Sequence, residues 1–325
     1  MSSRRIVPLL LVMLLVLPSC ARSEPTLLPS PLAASEETEA DVRLDVAATT
    51  TIVGDVVAQI GREAIHLTVL LPPNADPHAF EPSPQDVAAL AGADLVFING
   101  AGLEEAMRPV LESAARPGAI VSLSESLDLR RFADEQAAEG DDRKDEHEPG
   151  DLDPHVWFDP ENVIAWTEVI EATLAEADPA HAEQYAANAE GYRQELHQLD
   201  AWIAEQVQGI PPERRRLVTD HDSFGYFADR YGFEVIGAVV PGFSTLAEPS
   251  AWQIAELESA IRELGVPAVF VGTTVNPALA ERIAEDTGIQ VVPLYTGSLS
   301  EPEGPVGTYL DLMKYNTAHI VEALR

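Results

Sequence analysis

The stretch "RLVTDHDSFGYFADRYGFEVIGAVV" at residues 216–240 indicates how the chain folds. Its two ends, "RLVTD" and "FEVIGAVV", are rich in the apolar and β-branched residues that favour buried strands. The segment "SFGYFADRYG" between them has the spacing of a short helix. A strand, a helix and a second strand in this order form a βαβ unit, in which the two strands lie parallel.

The same alternation of strands and helices runs through most of the chain. Upstream, it extends from "RLDVAAT" at 43–49 to "AIVSLS" at 119–124. Downstream, it includes "PAVFVG" at 267–272 and "QVVPLY" at 290–295. We therefore predict an α/β fold with two lobes, each with a small parallel β-sheet flanked by helices.

Two short segments support the presence of two similar lobes. "EPSPQDVAAL" at 81–90 and "EPSAWQIAEL" at 248–257 share Glu, Pro, Ser, Ala and Leu at matching positions. In each, the serine is followed three residues later by Asp or Gln, which is the pattern of a helix capping box. Each predicted helix is followed by a predicted strand, so the two halves use the same order of elements.

The region between the lobes is almost wholly helical in pattern. From Pro179 this pattern runs for about 30 residues, which corresponds to a helix about 45 Å long. We predict a rigid linking helix at 179–209, between an N-terminal lobe at 42–178 and a C-terminal lobe at 210–325.

The N-terminus has the features of an export signal. Arg4 and Arg5 precede an apolar run that is too short for a comfortable membrane span, so residues 1–19 are predicted to be a signal peptide. Cys20, the only cysteine of the chain, follows in a setting that resembles a bacterial lipobox and is predicted to carry a lipid. Residues 20–41 are rich in Pro, Ser, Ala and Glu, which is typical of a flexible tether.

The excess of acidic residues argues against one class of binding partner, the nucleic acids. The formal net charge is −34, from 20 basic and 54 acidic residues, and such a chain repels phosphate backbones. We therefore expect no nucleic-acid partner. Nine of the acids lie in the loop at 133–151, which we expect to be solvated and disordered; low-affinity collection of cations is the alternative.

Three histidines lie beyond the carboxyl ends of predicted strands, one of them after the acidic loop. They are His78, His155 and His221. In open α/β sheets, ligands bind beyond the carboxyl ends of the strands, so side chains from both lobes can meet in a cleft. Three imidazoles make a plausible site for Zn²⁺, with a carboxylate or a water molecule as the fourth ligand. Simple exposure of unrelated loop histidines is the alternative.

Two aspartates flank His155. Asp153 and Asp159 are expected to serve as a turn residue and a helix cap, respectively, since Asp commonly precedes a helix. The alternative for either aspartate is to accept a hydrogen bond from an imidazole N–H.

Three segments resemble one known family. "NADPHAFEPSPQDVAALAGADLVFINGAGLE", "DPHVWFDPENV" and "VTDHDSFGYFADRYG" are similar to the ligand-bearing segments of the metal-binding lipoproteins of bacterial ABC importers for zinc and manganese, the cluster A-I solute-binding proteins. The resemblance covers residues 42 to 325. It implies two lobes, each with a small parallel sheet, joined by one long helix, with a metal ion in the cleft between them.

The resemblance also implies which residues bind the ion. His78, His155 and His221 fall on the ligand positions of the family. The third ligand is commonly glutamate in manganese-type relatives, so His221 favours zinc because imidazole is the softer donor.

The fourth position departs from the family pattern. Many relatives have an aspartate where this chain has Gly297, and glycine has no side chain to coordinate an ion. We expect a water molecule there, with Glu301 or Glu303 as the alternatives.

The expected function is that of an exported, lipid-anchored solute-binding protein on the outer face of the cytoplasmic membrane. It would capture Zn²⁺ in the cleft and deliver the ion to the ABC permease in that membrane, acting as a monomer and not as an enzyme. The alternatives are a Mn²⁺ or Fe²⁺ carrier of the same fold, a surface adhesin, or a zinc hydrolase with a site of three histidines. The hydrolase is disfavoured because no H-E-x-x-H motif occurs.

Overall fold

The computed structural model describes residues 43–131, 152–242, 245 and 247–325. Several predictions concern segments outside these residues: the signal peptide at 1–19, lipidation of Cys20, the tether at 20–41 and the acidic loop at 133–151. Within the described residues, no helix is both long enough and apolar enough to cross a lipid bilayer.

The first half of the chain forms a sheet of four parallel strands. Its strands are β1 (Leu44–Ala48), β2 (Ile65–Val69), β3 (Leu95–Ile98) and β4 (Ile120–Ser122), arranged in the order β2-β1-β3-β4. The helices that accompany them are α1 (Thr51–Gly61), α2 (Pro84–Gly92) and α3 (Arg108–Ala114). We call this sheet and its helices the first lobe.

The second half repeats the arrangement. Its strands are β5 (Arg216–His221), β6 (Glu234–Val240), β7 (Ala268–Gly272) and β8 (Gln290–Leu294), all parallel and in the order β6-β5-β7-β8. Its helices are α6 (Gly225–Tyr231), α7 (Ala251–Leu264), α8 (Ala278–Thr287) and α9 (Tyr309–Leu324). We call this the second lobe. The predicted α/β fold with two parallel sheets is confirmed.

Two helices lie between the sheets in the sequence. They are α4 (Pro160–Ala177) and α5 (Ala182–Val207), and α5 contacts α4, α1 of the first lobe and α9 of the second. The 26 residues of α5 span about 39 Å, so the helix is shorter than the predicted 179–209 segment. Its start is later because Pro179–His181 form a separate turn of 3₁₀-helix after α4 ends at Ala177.

The two capping boxes form as predicted. Ser83 Oγ accepts a hydrogen bond from the backbone N–H of Asp86, and the Asp86 carboxylate accepts one from the Ser83 N–H at 2.7 Å. Ser250 and Gln253 make the same reciprocal pair at the start of α7, with a Ser250 N to Gln253 Oε1 distance of 2.8 Å. Both pairs satisfy backbone N–H groups that have no partner inside the helix.

One hydrophobic core connects the two lobes. It includes Val46 of the first sheet, Trp166 of α4, Leu196 of α5, Phe227 of α6 and Leu312 of α9, all almost fully buried. Because these side chains pack in one continuous cluster, the two lobes share a close-packed interior that holds both sheets in place.

Candidate metal centre

The three predicted histidines meet at one point. Nε2 of His155 lies 3.2 Å from Nε2 of His78 and 3.2 Å from Nε2 of His221. Within the part of the chain that the structure describes, these residues form the only group of three or more His, Cys, Asp or Glu side chains able to hold a metal ion, with ligand atoms within 4.8 Å of one another. His155 and His221 are buried, and His78 is partly exposed.

Local structure accounts for the position of each histidine. His221 is the last residue of β5, so its side chain stands at the carboxyl end of the second sheet. His155 follows Pro154, whose carbonyl accepts a hydrogen bond at 3.0 Å from the side chain of Asn99, just beyond β3. The backbone N–H of His78 donates to Asp76 at 2.9 Å, which fixes the turn beyond β2.

Two aspartates set the tautomers of two histidines. Nδ1 of His155 lies 2.9 Å from Asp153 Oδ1, and Nδ1 of His221 lies 3.0 Å from Asp220 Oδ1. An ionised carboxylate can only accept, so each Nδ1 carries the proton and each Nε2 presents a lone pair. The unprotonated nitrogens therefore face the centre of the cluster.

The expected roles of the aspartates need one correction. Asp159 caps α4 as predicted, since its side chain accepts from the Glu161 N–H at 2.9 Å. Asp153 does more than the expected turn: it accepts from both the backbone N–H and the ring of His155. Asp220, which sequence analysis did not single out, holds His221 in the same way, and its adjacency to that histidine was the available signal.

Burial and mutual repulsion keep two of the imidazoles neutral. Burial, together with the neighbouring His155 and His221, lowers the pKa of His78 to about 3. Burial also holds the pKa of His155 well below its ordinary value, with a further lowering by His221. Burial acts in the same direction on His221, but the charge and hydrogen bond of Asp220 outweigh it and raise the pKa of His221 overall.

The structure explains what occupies the space beside Gly297. A β-carbon at this position would lie 2.7 Å from Cδ and 3.0 Å from Cγ of Pro77, the residue before His78. Glu301 and Glu303 are exposed and do not belong to the cluster of three histidines. The Pro77 ring therefore lies in the space that the side chain of any larger residue at position 297 would enter.

The aromatic residues near the site serve mainly as core. Trp157, Phe158, Phe224 and Tyr226 are all buried, and the Phe158 and Phe224 rings stack at 4.4 Å between centroids. Trp157 also borders His155 at 5.3 Å between ring centroids, and its Nε1 donates to the Thr296 carbonyl at 3.1 Å. These contacts hold the backbone on both sides of the cluster.

The spacing of the nitrogens suits a small divalent ion. Two nitrogens that each lie about 2.0–2.1 Å from a tetrahedral ion are about 3.3 Å apart. The observed 3.2 Å between Nε2 atoms is close to this value. Fold and site together define a two-lobed α/β protein with a candidate cation site between two parallel sheets.

Comparisons with known proteins place the chain in a family. Residues 46–323 match the family described as "Zinc-uptake complex component A periplasmic". The chain is 34% identical over 282 residues to the manganese-binding lipoprotein MntA of Halalkalibacterium halodurans, covering 86% of this chain and 88% of that one. It is 32% identical over 289 residues to the metal ABC transporter substrate-binding lipoprotein ScbA of Streptococcus cristatus, covering 87% and 89%.

A solved structure agrees with these matches. The periplasmic zinc-binding protein TroA from Treponema pallidum superposes with a TM-score of 0.78 at 30% identity, covering 87% of this chain and 99% of that one. The chain therefore belongs to the family of periplasmic zinc-uptake components. It is a metal-binding substrate-binding protein of an ABC importer, and a membrane permease is its implied partner.

Proposed function

We propose that His78, His155 and His221 bind one Zn²⁺ ion as the cargo that the protein delivers to its permease. The observation that supports this most directly is the convergence of three Nε2 atoms, with two protons held on the opposite nitrogens by Asp153 and Asp220. Lone pairs that face one another at this distance repel, and a cation between them removes that repulsion.

The donor set favours zinc over manganese or iron(II). All three proposed ligands are imidazole nitrogens, which suit zinc, whereas manganese prefers carboxylate and water oxygens. Gly297 supplies no carboxylate, and we propose that water completes the shell. The relatives do not decide the ion, because one is named a manganese-binding and another a zinc-binding protein.

We further propose that the protein is exported, anchored by a lipid on Cys20 to the outer face of the cytoplasmic membrane, and monomeric. The N-terminal sequence supports the anchor, and the names of the relatives, as lipoproteins and periplasmic proteins, agree with it. The proposed division is an N-terminal lobe at 42–178, a linking segment at 179–209 that contains α5, and a C-terminal lobe at 210–325.

We propose transport without catalysis. A zinc hydrolase needs a general base that can reach the metal-bound water. Asp153 and Asp220, whose carboxylates contact the rings of two proposed ligands, each use one oxygen on an imidazole and the other on an N–H donor. Both carboxylates are therefore committed to holding the site.

The test is elemental analysis of the mature chain, followed by competition between Zn²⁺ and Mn²⁺. We expect one zinc ion per chain, and none in the variant His155→Ala. His66→Ala is the matched control, because His66 also pairs with an aspartate, Asp45 at 3.0 Å, but on the surface. A chain without stoichiometric metal would refute the proposed site, and a preference for Mn²⁺ would refute the choice of ion.

A further inference from the structure

One arginine links the candidate site to the opposite lobe. Arg130 lies beyond β4 of the first lobe, and its Nη1 donates to Asp153 Oδ2 at 3.1 Å. Its Nε donates to Asp229 Oδ2 at 2.5 Å, and Asp229 is part of α6 in the second lobe. A single guanidinium therefore joins the carboxylate that orients His155 to a helix of the other lobe.

A tyrosine of the same helix reinforces the link. The backbone N–H of Arg130 donates to the Tyr226 hydroxyl at 3.0 Å, and that hydroxyl donates to the carbonyl of Asp153 at 3.1 Å. The guanidinium carbon also lies 5.8 Å from the centre of the Tyr226 ring, within cation–π range. Arg130 thus contacts α6 through backbone and side-chain atoms, and Asp153 contacts it through its backbone carbonyl.

The neighbouring glycine leaves room for this arrangement. A β-carbon at Gly225 would overlap the Arg130 guanidinium and lie 2.7 Å from Asp153 Oδ2. Since Gly225 is the first residue of α6, any side chain there would push Arg130 away from the carboxylate. The close approach of α6 to the pair therefore depends on the absence of a side chain.

We propose that Arg130 is a positioning residue that makes the orientation of the His155 ring depend on contact between the lobes. The inference rests on the proposed function, because it assumes that His155 binds the ion. Asp153 is buried, and Arg130 is the donor that fixes its second oxygen. When α6 moves away, Arg130 loses its bond to Asp229 and holds the Asp153 carboxylate less firmly. His155 then loses its fixed orientation, which speeds release of the ion.

The first test measures release of Zn²⁺ into excess chelator by stopped flow. We expect Arg130→Gln to release zinc about 10- to 100-fold faster than the wild type, the usual effect of removing such a supporting group. Gly225→Ala should act in the same direction without removing a charge. Arg116→Gln is the control, because Arg116 pairs with Asp94 on the surface of the first lobe at 2.5 Å. Its release rate should not change.

The second test separates positioning from general stability. With Co²⁺ in place of zinc, Arg130→Gln should alter the visible ligand-field spectrum while the protein is still fully folded. The melting temperature of the metal-free protein should fall by only about 2–4 °C, because Asp153 loses its charged partner. A lysine at position 130 can form one of the two ion pairs of Arg130 but not both. Arg130→Lys should therefore release zinc at a rate between those of the wild type and Arg130→Gln. Should the glutamine variant fail to fold, the lysine variant decides the question.

The outcomes distinguish the two proposals. Unchanged release and an unchanged Co²⁺ spectrum in Arg130→Gln, together with loss of binding in His155→Ala, would overturn the role of Arg130 and leave the zinc site standing. A wild-type chain that holds no zinc would overturn both proposals.

Discussion

Two aspartate–histidine pairs support the site, and they differ in what holds the aspartate. In both pairs, one carboxylate oxygen accepts a hydrogen bond from Nδ1 of the histidine. The second oxygen of Asp220 accepts from the backbone N–H of Gly272, at the end of the adjacent strand β7, at 2.9 Å. The second oxygen of Asp153 accepts instead from the side chain of Arg130.

The difference assigns distinct properties to two similar ligands. His221 is fixed by the hydrogen-bonded backbone of one sheet, so its position follows from the second lobe alone. His155 is fixed by a side chain that also contacts α6 of the opposite lobe, so its position depends on how the lobes meet. The same chemical pair thus gives one rigid and one adjustable ligand.

Replacing each aspartate by asparagine should have the largest effect on how the two histidines are held. Both Asp153→Asn and Asp220→Asn should lower zinc affinity about 10- to 100-fold, since an amide cannot satisfy both of its N–H neighbours. Asp220→Asn should also lower the unfolding free energy of the metal-free protein by about 1–3 kcal/mol, because the buried Gly272 N–H loses its acceptor. Asp153→Asn should cost less, since Arg130 is partly exposed to water.

Metal competition and urea unfolding measure the two effects. Asp45→Asn, in the exposed pair with His66, is the control and should change neither. Equal losses of stability in the two buried variants would show that the anchors do not differ.

Gly297→Asp extends the comparison to His78, because Pro77, the residue before it, packs against Gly297. The new β-carbon would collide with Pro77, so we expect a loss of about 1–3 kcal/mol in unfolding free energy, as for overpacked sites. Adding Pro77→Ala should recover most of the loss. Thermal unfolding of the metal-free proteins measures both variants. If Gly297→Asp is as stable as the wild type, contact with Pro77 does not account for the glycine.

The opposite pKa shifts of the histidines predict how zinc affinity depends on pH. The pKa of His221 is raised above its ordinary value, while those of His78 and His155 are lowered, so at pH 6 only His221 is mostly protonated in the metal-free protein. Zinc must displace that proton, and its affinity should fall about tenfold per pH unit as the pH drops from 6 to 5. Asp153, with its pKa raised by burial to about 6, adds part of a second proton.

Calorimetry in buffers of different ionisation enthalpy counts the protons released. Asp220→Asn removes the charge that raises the pKa of His221, so in this variant the release at pH 6 should decrease. Release of close to three protons by the wild type would contradict the assignment.

Tyr226→Phe should have the smallest effect on the contacts that hold His155. The variant removes the hydroxyl that connects the Arg130 N–H to the Asp153 carbonyl. We expect a loss of about 1 kcal/mol in unfolding free energy and a small increase in zinc release, because Arg130 keeps both of its carboxylate partners. Tyr315→Phe is a control remote from these atoms. A release rate as fast as that of Arg130→Gln would show that the hydroxyl orients Asp153 as strongly as the guanidinium does.

Much of the fold was predictable from local sequence. Strand composition, helix spacing and the Ser83 and Ser250 capping patterns act between near neighbours, and the structure confirms all of them. The meeting of the three histidines was predictable because each follows a strand, and the carboxyl ends of parallel strands share an edge.

The supporting contacts were not predictable in the same way. Arg130 and Asp229 are 99 residues apart, and the contact of Gly297 with Pro77 joins segments from opposite lobes. Such pairs depend on how the lobes pack, which no local pattern records. The start of α5 at Ala182 was missed for a simpler reason: Asp-Pro steps allow several turn geometries. The ring contact of Asp153 was the alternative that the sequence left open.

The most direct test of the central claim is anomalous diffraction at the zinc edge from crystals of the zinc-loaded protein. We predict one strong peak bound by Nε2 of His78, His155 and His221 at about 2.0–2.1 Å, with a single oxygen from water as the fourth ligand. A peak elsewhere, or an ion bound by carboxylates without all three of these histidines, would contradict the proposed site.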